Sequence, residues 1–89
     1  MMVEQIQILM VDDDVLQLEL TSYQLEQIGF RQVTCFWGAS EALQMLQDAD
    51  ISFSLIILDL NMPGMDGLEF LQQLRNTRFD GSLVLLSGE

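Results

Sequence analysis

An α/β fold built on a doubly wound parallel sheet is predicted for this chain by three features of its sequence. Apolar runs that read as strands alternate with segments of helical spacing in the order βαβαβαβ. Those runs are too hydrophobic for either face to meet water, which calls for parallel pairing with helices over both faces. They also end abruptly in Asp12 and Asp13, in Asp59 and in Ser87, as strands do when they carry polar groups to the carboxyl edge of a sheet.

The first strand spans residues 6–11 (IQILMV), rich in branched residues and closed by acids. From residue 15 to 28, Leu18, Leu25 and Ile28 recur with small Thr21 and Ser22 between them, and Leu16, Leu20 and Tyr23 widen the stripe. Asp14 is placed to cap this helix and Gly29 to end it in a left-handed conformation. A short strand follows at 32–36 (QVTCF). Ala39, Ala42, Leu43 and Leu46 fall at i, i+3, i+4 and i+7 and mark a second helix. After a polar break at 48–52, residues 53–58 (FSLIIL) form a second central strand ending in Asp59. A turn at Pro63 and Gly64 leads to a third helix over 67–75, with Leu68, Leu71 and Leu74 spaced by three. Residues 83–86 (LVLL) are the fourth strand, ending at Ser87.

Composition narrows the function. At 89 residues the chain holds one domain, and with 49% apolar residues and a single proline it is globular rather than disordered. Fourteen acids against three arginines give a formal charge of −11, which repels nucleic acid and anionic membrane. The single cysteine and the absence of histidine exclude a disulfide framework and a thiolate or imidazole metal site. With no basic leader and no apolar run near the roughly 20 residues of a membrane span, the expected compartment is the cytoplasm.

In a doubly wound sheet the strand ends bring Asp12, Asp13, Asp59 and Ser87 into one crevice. Clustered carboxylates are costly unless a cation relieves them, and magnesium suits hard oxygens while leaving room for water and phosphate. Asp13 and Asp59 are the expected ligands. An aspartate beside such a cation can attack phosphorus, making Asp59 the candidate nucleophile, and the Ser87 hydroxyl is placed to donate to the resulting acyl phosphate. The competing reading of Asp12 and Asp13, a solvated cap on the first helix, loses its weight once Asp59 joins them. Asp14 and Asp66 read as helix caps, Pro63 and Gly64 as turn formers, and Cys35 and Trp37 as packing residues.

The segments ILMVDDD (8–14), LIILDLNMPGMDG (55–67) and LVLLSGE (83–89) resemble the receiver domains of bacterial two-component response regulators. The middle segment is the most specific, with Asn61, Met62, Pro63, Gly64, Asp66 and Gly67 at fixed offsets from the aspartate. The resemblance implies a flavodoxin-like receiver fold with strand order 2-1-3-4-(5). It implies that Asp59 is the phosphoacceptor, that Asp13 and the Asn61 backbone carbonyl bind Mg2+ directly, and that Asp12 does so through water. Ser87 would be the switch hydroxyl, Asn61 and Glu89 would tune dephosphorylation, and Pro63, Gly64, Asp66 and Gly67 would shape the loop. The implied partner is a sensor histidine kinase or phosphotransfer protein. The run from Leu60 to Glu89 further resembles receivers joined to a cyclic-di-GMP enzyme.

The chain departs from that pattern by ending before helix 4, strand 5 and helix 5, and by containing no lysine, whereas receivers carry one on the fifth strand. The expectation is a receiver domain over 1–89 that is incomplete at its C-terminus, with the fourth strand an exposed apolar edge and the chain domain-swapped or otherwise oligomeric. Two other readings stand beside it. Asp12, Asp14 and Ser87 loosely resemble the first two motifs of haloacid-dehalogenase-like magnesium phosphatases, which would make Asp12 the nucleophile and the protein an enzyme. A pseudo-receiver would keep the fold and serve only assembly.

Overall fold

A computed structural model of the chain describes residues 2–48, 50–64 and 66–86. After a 3-10 turn at Val3–Gln5, the elements are β1 (Gln7–Val11), α1 (Val15–Gln27), β2 (Gln32–Phe36), α2 (Ala39–Leu46), β3 (Leu55–Asp59), α3 (Gly67–Leu74) and β4 (Ser82–Leu86). All pairings are parallel and the strand order is β2-β1-β3-β4. The chain thus starts at the middle of the sheet, adds β2 on one side, then crosses to β3 and β4 on the other. Strand order reverses between β1 and β3, and the crevice that this reversal opens lies beyond their carboxyl ends.

The period-two alternation of each strand divides the core in two. Leu9 and Val11 of β1 face the same way as Ile56 and Leu58 of β3, and α2 and α3 cover them with Ala42, Leu43, Leu46, Phe70 and Leu74. Ile8 and Met10 point to the opposite side, where Leu18 of α1 packs on them with Leu25, Val33 and Ile57 partly buried around. Two helices therefore cover one face and one covers the other.

The helices begin and end where side chains satisfy their free backbone groups. The Asp14 carboxylate accepts the Gln17 N–H at 3.2 Å, and that of Asp66 accepts the N–H groups of Leu68 and Glu69 at 3.0 and 3.4 Å. Gly29 takes φ +110° after α1 and Gly64 takes φ +77° in the loop before α3, a region that side chains with a Cβ avoid.

Three sequence expectations are corrected. The apolar stripe of α1 does not widen to Leu16, Leu20 and Tyr23. These lie roughly 140–160° round the helix from Leu18 at 100° per residue, and they are 75%, 51% and 60% exposed. Ile28 caps the helix in solvent at 69% exposure. Nor are Cys35 and Trp37 packing residues: β2 is an edge strand, so Cys35 is exposed there and Trp37, just past its end, is 66% exposed. β3 starts at Leu55 rather than Phe53, because its ladder with β1 begins at the Ile8–Leu55 pair. Phe53 is nonetheless buried, and the following Ser54 N–H donates to the Gln7 carbonyl at 2.8 Å.

On the outer side of β3, β4 leaves Val84, Leu85 and Leu86 exposed at 42%, 44% and 39%. Val84 lies in register with Ile57, on the α1 side, and Leu85 with Leu58, on the other. Both faces of this edge strand are open among the described residues. None of their helices is long and apolar enough to cross a membrane.

Candidate functional site

Two central strands build the site. β1 delivers Asp12 and Asp13 immediately after Val11, and β3 ends on Asp59, so the parallel β1–β3 pairing places all three at one edge. One carboxylate oxygen from each lies within 4.8 Å of the others. Asp12 is almost fully withdrawn from solvent at 5% exposure, Asp59 is half-buried and Asp13 is exposed. The set therefore runs from the interior outward, with its open side at Asp13.

Backbone amides fix the two deeper carboxylates. Asp12 Oδ1 accepts the Asp14 N–H at 2.9 Å, and the Asp12 N–H donates to the Phe36 carbonyl at 3.1 Å, tying the acid to β2. Asp59 Oδ1 accepts the Asn61 N–H at 2.9 Å. Next to it, the Leu60 N–H donates to the Leu86 carbonyl at 2.9 Å, so the loop after β3 is anchored to the end of β4. Each bond turns a carboxylate into a fixed acceptor.

Burial pushes the Asp12 carboxyl above the ordinary carboxylate value, against the Asp14 amide, which favours the charged form. The Asp59 carboxylate, by hydrogen bond and charge, and the Asp13 charge push it in the same direction. Three negative groups this close are under mutual repulsion. Three hard oxygen donors within reach of one centre are the donor set that a small divalent cation takes, and a transition metal preferring nitrogen or sulfur would find neither here. The residues present fit magnesium.

From Asp13 a cleft of about 590 Å³ runs between α2 and α3, lined by Met62, Pro63, Gly64 and Asp66 of the connecting loop and by Trp37 after β2. Pro63 and Gly64 thus form one wall of the approach to the site. Gly67 opens α3 where an added Cβ would come within 3.1 Å of a Leu60 methyl, so the close turn of this loop favours a residue without one. Asn61 is exposed, with its N–H turned to Asp59. Asp14 stands apart from the cluster as the cap of α1. Ser87 and Glu89 lie outside the described residues.

Sequence reasoning missed Trp37, which lines the same cleft as Asp13. The signal was available: Trp37 directly follows β2 and so sits at the same carboxyl edge as the three acids.

A doubly wound parallel sheet with paired acids after β1 and an acid ending β3 defines a class of signalling domain, and comparison with known proteins agrees. The family model of the response regulator receiver domain matches residues 8–89. The chain belongs to this family. It is 36% identical over 85 residues to the probable chemotaxis protein CheY of Rhizobium etli, covering 92% of this chain and 64% of that one. Among solved structures, the MaeR response regulator bound to beryllium trifluoride superposes with a TM-score of 0.80 at 28% identity, over 96% of this chain and 69% of that one. An adenylate cyclase from Rhodopirellula baltica aligns with a TM-score of 0.77 at 33% identity, over 89% of this chain and 56% of the other. The chain spans between 12% and 64% of the length of the curated relatives it matches. Family membership sets aside the phosphatase reading, which also needed Asp14 for chemistry and left Asp59 without a role.

Proposed function

We propose that this domain accepts a phosphoryl group on Asp59 from a phosphohistidine of a sensor histidine kinase or phosphotransfer protein, in a magnesium-dependent step, and that it works in the cytoplasm. The convergence of Asp12, Asp13 and Asp59 oxygens within 4.8 Å carries the reading. The likeness to MaeR, which binds the phosphoryl mimic beryllium trifluoride, supports it.

Asp13 and Asp59 would hold magnesium directly with the Asn61 backbone carbonyl, and Asp12 would do so through water. Bound there, the ion would neutralise charge on the transferred group and on the three carboxylates. Asp59 Oδ1 is occupied by the Asn61 N–H, which leaves Oδ2 to attack. A bond forms from Oδ2 to phosphorus as the phosphorus–nitrogen bond of the donor breaks, and the imidazole keeps the electron pair. The protein mainly supplies position, holding the nucleophile on a buried strand end. Ser87 is the switch hydroxyl that donates to the new phosphoryl oxygens, and Asn61 and Glu89 tune its hydrolysis. Pro63, Gly64, Asp66 and Gly67 set the geometry of the loop that presents Asn61. The domain's own chemistry is limited to accepting and losing this group.

For an output joined to this domain, we propose a cyclic-di-GMP enzyme. The sequence from Leu60 to Glu89 supports this, and the likeness to a cyclase chain gives weaker support of the same kind. Peptide mapping after reaction with a phosphodonor and magnesium tests the chemistry. Modification of Asp59 is expected; modification of Asp12 would restore the phosphatase reading, and modification of neither would leave a pseudo-receiver.

A further inference from the structure

Beside the acidic cleft, and sharing Trp37 with it, a groove of about 390 Å³ lies between α1 and β2. Val15, Leu18, Tyr23 and Trp37 give it an apolar and aromatic lining, and Glu19 and Glu26 stand on it from α1. Tyr23 and Trp37 expose 60% and 66% of their surface, an unusual outlay of aromatic area at one place. The thiol of Cys35, also in this lining, is raised above its ordinary value by burial although the residue as a whole is exposed on its edge strand. Both aromatic side chains of this lining are thus open to solvent.

Its charge has one sign. Residues 15–27 of α1 include no basic side chain. Glu19 and Glu26 are seven residues apart, so they share a helix face and stand about 10 Å from each other along the axis. Aromatic rings between two exposed carboxylates suit a side chain that has an apolar stem and a cationic head. The neighbouring backbone is suited to the same visitor: among the described residues β2 pairs only with β1 and leaves its outer edge without a strand. A strand added there would place alternate side chains over the groove.

We infer that this groove and the β2 edge together bind an extended segment of a partner protein, with arginine or lysine side chains that lie across Tyr23 and Trp37 and reach Glu19 and Glu26. The surface shares Trp37 with the cleft that opens at Asp13 and is otherwise lined by residues outside that cleft, which makes it a second contact of the domain.

Trp37 is the sole tryptophan and lines both the groove and the Asp13 cleft, so its fluorescence reports binding at either, and variants of the groove carboxylates tell the two apart. The whole 89-residue chain is titrated with a short acetylated, amidated peptide that alternates valine with arginine, and with the same peptide carrying norleucine in place of arginine. A saturable change is expected with the arginine peptide alone, unaltered in Asp59→Asn. The Glu19→Gln/Glu26→Gln double variant is expected to bind about tenfold more weakly. An Asp50→Asn/Asp80→Asn variant, equal in charge loss but outside the lining of both the groove and the acidic cleft, is expected to retain binding. Equal affinity of the norleucine peptide, an unaltered double variant, loss of binding in the remote variant, or no saturable change would overturn the inference. A change in Trp37 fluorescence with protein concentration alone would assign the groove to a second copy and overturn it as well.

Discussion

Asp12 and Asp59 end neighbouring strands and bring carboxylate oxygens within 4.8 Å of each other, although Asp12 has only 5% of its surface in water. Nothing about stability alone favours this pairing, since burial and both neighbouring carboxylates raise the Asp12 carboxyl above its ordinary value of 3.8. The folded chain holds the repulsion in place with the Asp14 and Asn61 amides, each at 2.9 Å. A site that is strained without a cation is one that a cation stabilises.

That strain has a pH signature. Because the Asp12 carboxyl is raised on folding, its contribution to stability is fully present below its unfolded value and is lost as pH rises through the higher folded one. In the absence of divalent cations, Asp12→Asn is therefore expected to gain stability relative to the parent chain between mildly acidic and neutral pH. Magnesium at ten times its dissociation constant is expected to stabilise the parent by about 1.4 kcal/mol at neutral pH, and Asp12→Asn by less. Urea melts of both chains across that pH range, with and without magnesium, measure this; a gap that ignores both pH and magnesium contradicts it.

Asp66 accepts two N–H groups at the start of α3, which carries the loop beside the site. Asp66→Ala is expected to cost about 1 kcal/mol, with Asp66→Asn close to neutral. A shift of the urea midpoint without a change in slope would show a lost cap rather than a changed unfolded state.

Gly81 stands immediately before β4, where an added Cβ would collide with the Ser54 carbonyl oxygen. The same oxygen accepts the Ser82 N–H at 2.9 Å, so the clash falls on the bond that starts the β3–β4 ladder. Gly81→Ala is expected to destabilise by about 1–3 kcal/mol, against less than about 0.5 kcal/mol for Ser82→Ala at the exposed neighbouring position. Thermal or urea melts of the two variants compare them.

Among the described residues β4 has an open edge, and it exposes Val84 and Leu85 on its two faces at 42% and 44%. Such a strand is a template for another chain, and the 89-residue chain is expected to self-associate through it, by swapping or edge pairing. Sedimentation velocity over a range of concentrations is expected to show oligomers that Val84→Lys disperses. A monodisperse monomer throughout contradicts this.

The centre of the sheet was legible in the sequence because buried parallel strands are written as apolar runs: residues 6–11 contain β1 (Gln7–Val11), and residues 53–58 with the acid that closes them contain β3 (Leu55–Asp59). The acidic trio was legible for the same reason, since Asp12, Asp13 and Asp59 each follow such a run. α1 was harder to read. Leu18 and Leu25 face the sheet while Leu16, Leu20 and Tyr23 face water, and a helix apolar on both sides has no phase for spacing to detect. Trp37 and Cys35 escaped because residue type suggests burial, whereas their exposure follows from β2 being an edge strand. Strand order could not be had from spacing, since no local pattern specifies which strands are neighbours; it came from the resemblance, and the order β2-β1-β3-β4 agrees with it.

The central claim, that Asp59 accepts a phosphoryl group with the help of magnesium, is tested most directly by intact-mass spectrometry after incubation with acetyl phosphate. The account predicts a gain of one phosphoryl group when magnesium is present, with none in its absence and none in Asp59→Asn. A gain that survives in Asp59→Asn, or the absence of any gain in a folded, magnesium-loaded sample, would contradict it.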